Sequence, residues 1–520
     1  MSVFIGVHLW LIFLSSCSTK PTDLRTLVPS ETLVYFETND LAAALQPIVD
    51  SKPFTEVAKS KPDFSALKGV QLAIAVTGFE TTEEKLTDET SVGRVQPRFV
   101  AIADTHAWNF QAVGFAEQKL GSFVADIYHS EPTLEKTEKN GGTYFIWTAV
   151  DGRKAYALVI GSLIYFSNDE TAIDKCLAVK NGEADSILKT GKILPSTADV
   201  LASGYVSTDG VAQIANIVGM KFASEVGEDP DAQSAIAGIL PQLLQSSITE
   251  VGWTATLTDQ GIEDKFVIGM PSDISTIFFE TMAPSDSEGD SIHDALPTSL
   301  DSVSIYKLKN PQIALRSLLL VVGEKTNPLV GKIFAELVSI TFENYGISDP
   351  EKFLGSLGSS AAIARFDSTD QAAIIASIKD QKTSESSISE NAKPLVTPTL
   401  HSRARLWTED GQSMSVVFEK NRILIGDERV VTECGVAARD KRPSLPAELF
   451  RSNGSSIVST GKDVSLALPI IAILARKGHG DARAISTYTT ETRFTKTGME
   501  RRTVSDFGFI GWMIAQMAQD

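Results

Sequence analysis

The chain has 520 residues, enough for more than one hydrophobic core at roughly 100–200 residues per domain. Hydrophobic residues make up 43% and charged residues 22%, globular proportions that exclude a mainly disordered or collagen-like chain. A net charge of −18 disfavours non-specific nucleic-acid binding, and three cysteines cannot build a disulfide-dense scaffold or a cysteine-rich metal cluster.

Residues 3–14 are apolar apart from His8 and small residues. About 12 residues are too few to span a bilayer as a helix, but they suit the apolar core of an export signal. A buried N-terminal strand or helix is the alternative. Leu14-Ser15-Ser16-Cys17 resembles the processing box of bacterial lipoproteins. That resemblance implies that residues 1–17 hold the signal, and that Cys17 is lipidated and becomes the first residue of the mature chain. The first nine residues depart from the pattern in holding no Lys or Arg. Residues 18–26 are mainly polar, include Pro21, and read as a tether. Ser18, not Asp, follows the cysteine, which resembles outer-membrane sorting and implies a lipid-anchored protein of the bacterial envelope facing the periplasm.

In the body, residues 33–38 read as a strand, with Asn39 or Asp40 capping a helix over 41–49. Strands are predicted at 71–76 and 99–103, and helical spacing runs over 108–124. Three short strands follow at 144–150, 155–160 and 163–166, the first two joined at Asp151-Gly152. Asn168 or Asp169 caps a helix over 171–179. Further helices are predicted at 209–218 and 235–244, then a hairpin of 251–257 and 263–269 around Gly261. The rest repeats this grammar: strand 303–308, helix 311–322 with Pro311 in its first turn, and strand 361–366. A strand ribbon at 404–407, 413–418 and 422–425 carries Asp410-Gly411, and a final hairpin pairs 487–494 with 500–504.

Residues 164–176 align without gaps to 422–434, an offset of 258 that matches Asp169, Glu170 and Cys176 to Asp427, Glu428 and Cys434. Val206-Ser207-Thr208 matches Val458-Ser459-Thr460, and Leu257-Thr258-x-x-Gly261 matches Phe494-Thr495-x-x-Gly498. Val34-Tyr35, leading to Asn39, matches Ile305-Tyr306, leading to Asn310. The matches keep their order, which predicts an α+β fold of two divergent copies of a mixed antiparallel-sheet and helix domain, at 27–281 and 298–520. Between them, 282–297 is acidic and broken by Pro and Gly, and reads as a solvated linker. Residues 381–398, rich in Ser, Thr and Glu, read as an insertion loop.

The opening phrase Leu27-Val-Pro-Ser-Glu-Thr-Leu-Val-Tyr-Phe-Glu-Thr-Asn-Asp-Leu-Ala-Ala-Ala-Leu45, with the Leu-Lys-Gly-containing segment from Leu67 to Ala73, resembles an uncharacterised family of exported bacterial proteins, domain of unknown function 3352. The resemblance implies no catalytic residues.

Chemistry-bearing motifs are sparse. No phosphate-cradling glycine loop occurs, and no two of the six histidines stand at helical ligand spacing, so no cofactor or metal is expected. Ser186-x-x-Lys189, Lys189-Thr-Gly191 and Lys496-Thr-Gly498 mimic pieces of a penicillin-recognising serine enzyme. The first two share one lysine, and the third falls at the final hairpin turn. Cys176 and Cys434 occupy equivalent positions, where export would let them pair as a disulfide, or each fills a small gap in a core. Two apolar stretches, 464–475 and 507–518, are too short to cross a membrane; the latter either packs in a core or lies on a membrane surface. The leading expectation is a non-enzymatic envelope scaffold or protein-binding module on a lipid tether. A binding protein for a lipid or other apolar ligand is the alternative, and a hydrolase is third.

Overall fold

The computed structural model describes residues 22–57, 63–85, 91–191, 200–225, 238, 241–285, 292–326, 328–366, 371–388, 393–394, 405–409, 412–419, 421–450, 453–462 and 486–517. It is α+β, and its strands pair antiparallel wherever their register is defined.

In chain order, β1 (Val34–Thr38) runs into α1 (Leu41–Asp50), whose first turn is capped by Asp40 accepting from the Ala43 N–H. β2 (Gln71–Lys85) and β3 (Ser91–Asp104) extend well past the predicted strands. The helical region divides into α2 (Asn109–Phe115) and α3 (Gly121–Tyr128), joined by a π turn over Ala116–Leu120. β4 (Thr133–Lys139) was not legible in the sequence, because it is an exposed edge strand of Thr, Lys and Glu with no apolar alternation. β5 (Gly142–Thr148), β6 (Lys154–Ile160) and β7 (Leu163–Ser167) form the expected ribbon. The helix α4 (Glu170–Lys180) follows, capped by Asp169. β8 (Val200–Val206), the hairpin β9 (Glu250–Thr258) and β10 (Gly261–Gly269), and α5 (Ser272–Thr281) complete the first half.

The second half opens with β11 (Ser302–Lys307) and α6 (Pro311–Lys325), capped by Asn310. The sequence reading missed α7 (Pro328–Glu343) and β13 (Ala372–Ile378), which follows β12 (Leu357–Arg365). β14 (Lys393–Pro394), β15 (Arg405–Glu409), β16 (Gln412–Glu419) and β17 (Arg422–Asp427) lead to α8 (Glu428–Asp440), capped by Asp427. β18 (Ile457–Gly461), β19 (Tyr488–Thr495), β20 (Gly498–Ser505) and α9 (Gly508–Met517) close the chain.

Two compact units result. One comprises Met1–Thr32, Gly69–Gly78 and Pro97–Ile193; the other holds the rest. In the first unit the strand order is β2–β3–β7–β6–β5–β4. Its core gathers Ala112, Ala116, Val124, Phe145, Trp147, Val159 and Ile164. In the second the order is β1–β8–β9–β10–β20–β19–β18–β11–β12–β13–β17–β16–β15–β14. The expected halves are therefore not the compact units. The pairing of β10 with β20 binds the hairpins that close the two halves into a single sheet, so the compact unit runs across the expected boundary.

Three other expectations shift. The linker at 282–297 does not extend to its end: Ile292, Ala295 and Leu296 are buried in the core around β11, and Asp294 pairs with Arg422 at 2.5 Å. Residues 381–398 are not simply a loop, since Gln381–Glu385 is helical, capped by Asp380, and Ile388 is buried. Two sequence matches slip by one residue. The helix caps are Asp40 and Asn310, so buried Tyr35 corresponds to buried Ile305, and through the strand register Tyr205 corresponds to Val458. A one-residue slip exchanges the two faces of a strand, so burial settles the register. The expected helix over 235–244, the strand start at 404, the Asp410-Gly411 turn and the stretch 464–475 lie wholly or largely outside the described residues.

Gly261 and Gly498 open the second strands of the two closing hairpins at φ +123° and +149°. A Cβ on Gly498 would lie 2.0 Å from the Ile268 carbonyl oxygen. Gly498→Ala should lower stability by about 3 kcal/mol or more. Gly435→Ala, in open space within α8, should raise it by about 0.5–1 kcal/mol. Urea unfolding midpoints of the two variants check both signs.

Candidate functional site

The helical region of the first unit places an apolar row in water. Ala112, Ala116 and Val124 are buried, while the residue preceding each of the last two, Phe115 and Phe123, is exposed. Two turns of an α-helix take about 7.2 residues. The residue that a π turn inserts stretches this to about eight, which aligns Phe115 with Phe123. Ile127, four residues on, continues the row, with Trp108 (75% exposed) at its start; Phe110 (72%) is also exposed, but it lies five residues before Phe115 and so about 140° round the helix from the row. The Gln111 side chain accepts from the Trp108 backbone N–H at 3.1 Å and fixes the start of α2. Just upstream, Asp104 is nearly closed from water. Burial opposes its charge, but the Thr22 hydroxyl, the His106 N–H and Ser162 together hold the carboxyl below its ordinary value.

The second unit carries its own apolar exposure. On α6, Ile313 and Leu320 are seven residues apart, and on α7, Leu337 and Ile340 are three apart, spacings that put each pair on one helix face. All four are roughly half exposed.

A cleft of about 410 Å³ in the same unit has a polar lining that includes Gln260, Glu448, Thr460, Thr487, Glu491 and Asp506. Much of this lining is already engaged. Asp506 accepts from the Thr487 N–H at 3.0 Å and from the Ser486 hydroxyl at 3.2 Å, and the Thr460 hydroxyl donates to the Tyr488 carbonyl at 2.9 Å. Nearby, Asp264 on β10 is buried against the first turn of α9, where it accepts from the Phe509 N–H at 2.7 Å and from Trp253 Nε1 at 2.9 Å. Burial pushes its carboxyl up to about 7, against the pull of those two donors.

Of the sequence-predicted site residues, Cys17 lies outside the described residues. Cys176 on α4 and Cys434 on α8 are free thiols, each closed inside the core of its own unit, and the possible disulfide is not formed. Burial pushes both thiols up to about 12. Lys189 pairs with Asp185 at 2.5 Å on the surface, and Lys496-Thr497-Gly498 is the tip of the β19–β20 hairpin. Phe507 and Trp512 are buried in a core with Trp253 and Tyr488, so the start of the final apolar stretch is core rather than a surface face. Among the described residues no cluster of His, Cys, Asp or Glu could hold a metal, and no helix is long and apolar enough to cross a membrane. The sequence reading missed Phe110, Phe115, Phe123 and Ile127. The density of aromatic residues over 108–123 was visible, but their exposure depends on the phase shift of the π turn.

Compared with protein-family models, with curated proteins and with solved structures, the chain matches none.

Two outcomes follow from the buried titratable groups. In the Cys17→Ala chain a thiol reagent at pH 8 should label no cysteine before unfolding and both Cys176 and Cys434 afterwards; a disulfide would leave none in either state. A carboxyl whose folded-state pKa is raised contributes stability that is full below about 4 and is lost as pH rises toward about 7. The urea midpoint of the wild type should therefore fall relative to that of Asp264→Asn between pH 5 and pH 8.

Proposed function

We propose that the protein is a lipid-anchored, non-enzymatic scaffold of the bacterial envelope that binds a protein partner through its surface. The observation that carries this reading is the pair of apolar helix faces in the second unit, Ile313 with Leu320 and Leu337 with Ile340, which are exposed although neighbouring positions of α6 are packed away. Isolated exposed apolar residues are ordinary, whereas paired exposure on two consecutive helices supports a docking face. Lipidation at Cys17, outer-membrane sorting and kinship with the exported family are the parts of the proposal that rest on the N-terminal residues and the opening phrase.

We also infer that the body arose by duplication. Reading β1–β10 against β11–β20 in sequence, the order β4–β5–β6–β7–β3–β2 has its counterpart in β14–β15–β16–β17–β13–β12, and β1–β8–β9–β10 in β11–β18–β19–β20. A small clasp also recurs. Pro29 bridges Ser186 and the Ile187 N–H donates to the Val28 carbonyl; Pro297 bridges Ser444 and the Leu445 N–H donates to the Leu296 carbonyl. At an offset of 237, Thr258 and Thr495 each bond the carbonyl of the turn glycine, Gly261 or Gly498.

The double variant Leu320→Asp/Leu337→Asp tests the docking face. It should reduce at least tenfold the recovery of the protein cross-linked to the wild type in intact envelopes, while exposed positions leave the unfolding midpoint nearly unchanged. Unchanged cross-linking would remove the face from the proposal.

A further inference from the structure

We propose that the aromatic row of the first unit, from Trp108 to Ile127, is seated in the interfacial layer of the bilayer that holds the N-terminal lipid. The inference rests on the lipidation of Cys17 and adds to it a second membrane contact made by the folded body.

The chain is fixed to the first unit from residue 22 onward. The Thr22 hydroxyl donates to Asp104 Oδ2 at 2.7 Å, its carbonyl accepts from Gln71 Nε2 at 3.0 Å, and Leu24 and Leu27 are buried. Cys17 stands five residues before Thr22. Five residues span at most about 18 Å when fully extended. Asp104 ends β3 and lies four residues before Trp108, a further distance of at most about 14 Å. An acylated Cys17 would thus hold the start of the aromatic row within about 32 Å of the anchored residue.

The side chains suit that location. Trp108 is the most exposed aromatic residue of the row, and Phe115, Phe123 and Ile127 extend the apolar face along the helix. Tryptophan is favoured at the interface, and an amphipathic helix buries such a face in the headgroup–acyl boundary. Glu117, Lys119 and Asp126 leave the segment without net positive charge, so insertion rests on apolar area rather than on attraction to anionic lipid. A short tether makes the contact intramolecular, at an effective concentration of about millimolar, so even a weak face engages.

Trp108 is its own reporter. Trp147, Trp253, Trp407 and Trp512 are buried, and Trp10 lies in the export segment. The full lipidated chain, its acyl group verified by intact mass, is reconstituted in vesicles of zwitterionic phosphatidylcholine with plain or brominated acyl chains. Bromine should remove most of the emission that Trp108→Phe removes, equally at low and high salt. Phe115→Ser/Phe123→Ser should weaken that quenching. Acyl mass present with Trp108 unquenched would overturn the inference while the anchor stands, and would leave the row for a protein partner. Quenching abolished by salt would overturn it in favour of charge attraction. No acyl mass on the mature chain would overturn the anchor, and with it the placement argued from residues 17–22.

Discussion

The pairing of β10 with β20 is the contact on which the second unit depends. Eight residue pairs, from Ile262–Ser505 to Gly269–Gly498, join two hairpins that are more than two hundred residues apart in the chain. Lys265 sits opposite Arg502, a like-charged pair that would weaken the strands if left alone. Glu500 lies 3.7 Å from Lys265 and Glu263 lies 2.5 Å from Arg502, so each cation meets a carboxylate from the facing strand. An offset of 237 in sequence carries Glu263 onto Glu500 and Lys265 onto Arg502, so the two ion pairs exchange under it. Exposed pairs of this kind contribute little energy, so they serve register more than stability. The opposite face supplies the stability, where Ile262 and Phe266 pack with Tyr488, Phe507 and Trp512.

That junction explains why the compact units and the proposed repeats divide the chain differently. If each half began as a ten-stranded body, joining them edge to edge removed two exposed strand edges, which are liabilities for aggregation. The same junction buries the first turn of α9 against Asp264, leaving a carboxyl in a dry site held by two donors, Trp253 Nε1 and the Phe509 N–H. At the start of the chain's last apolar stretch, the side chains of Phe507 and Trp512 are committed to the core.

The functional reading moves accordingly from the termini to surfaces. Paired half-exposed residues on α6 and α7 are the face proposed for a protein, and the row beginning at Trp108 is the one proposed for lipid. These faces differ in character. The first is aliphatic, while the second is mostly aromatic and begins four residues after the aspartate to which the N-terminal segment is fastened.

Much of the local structure was legible because it is encoded within a few residues. Asp169 and Asp427 cap their helices by accepting from the N–H two residues on, and the ungapped match between 164–176 and 422–434 survives as two helices with a buried cysteine in each. The hairpin glycines were likewise readable from Thr-x-x-Gly. β4 was illegible because an exposed edge has no apolar alternation to display, and the matches at Tyr35 and Val206 slipped because similar residues occupy both faces of the strands.

By itself, the sequence determined the caps, the turns, most of the strands and the α+β class, since propensity and side-chain capping act over a turn or less. The tertiary structure alone decided that Ile292, Ala295 and Leu296 are core, that Phe507 and Trp512 are shielded, that Cys176 and Cys434 are buried as free thiols, and that Phe115 and Phe123 face water. Each of these outcomes is set by what packs against a segment from far along the chain, or by one inserted residue in a helix. No short-range pattern carries that information.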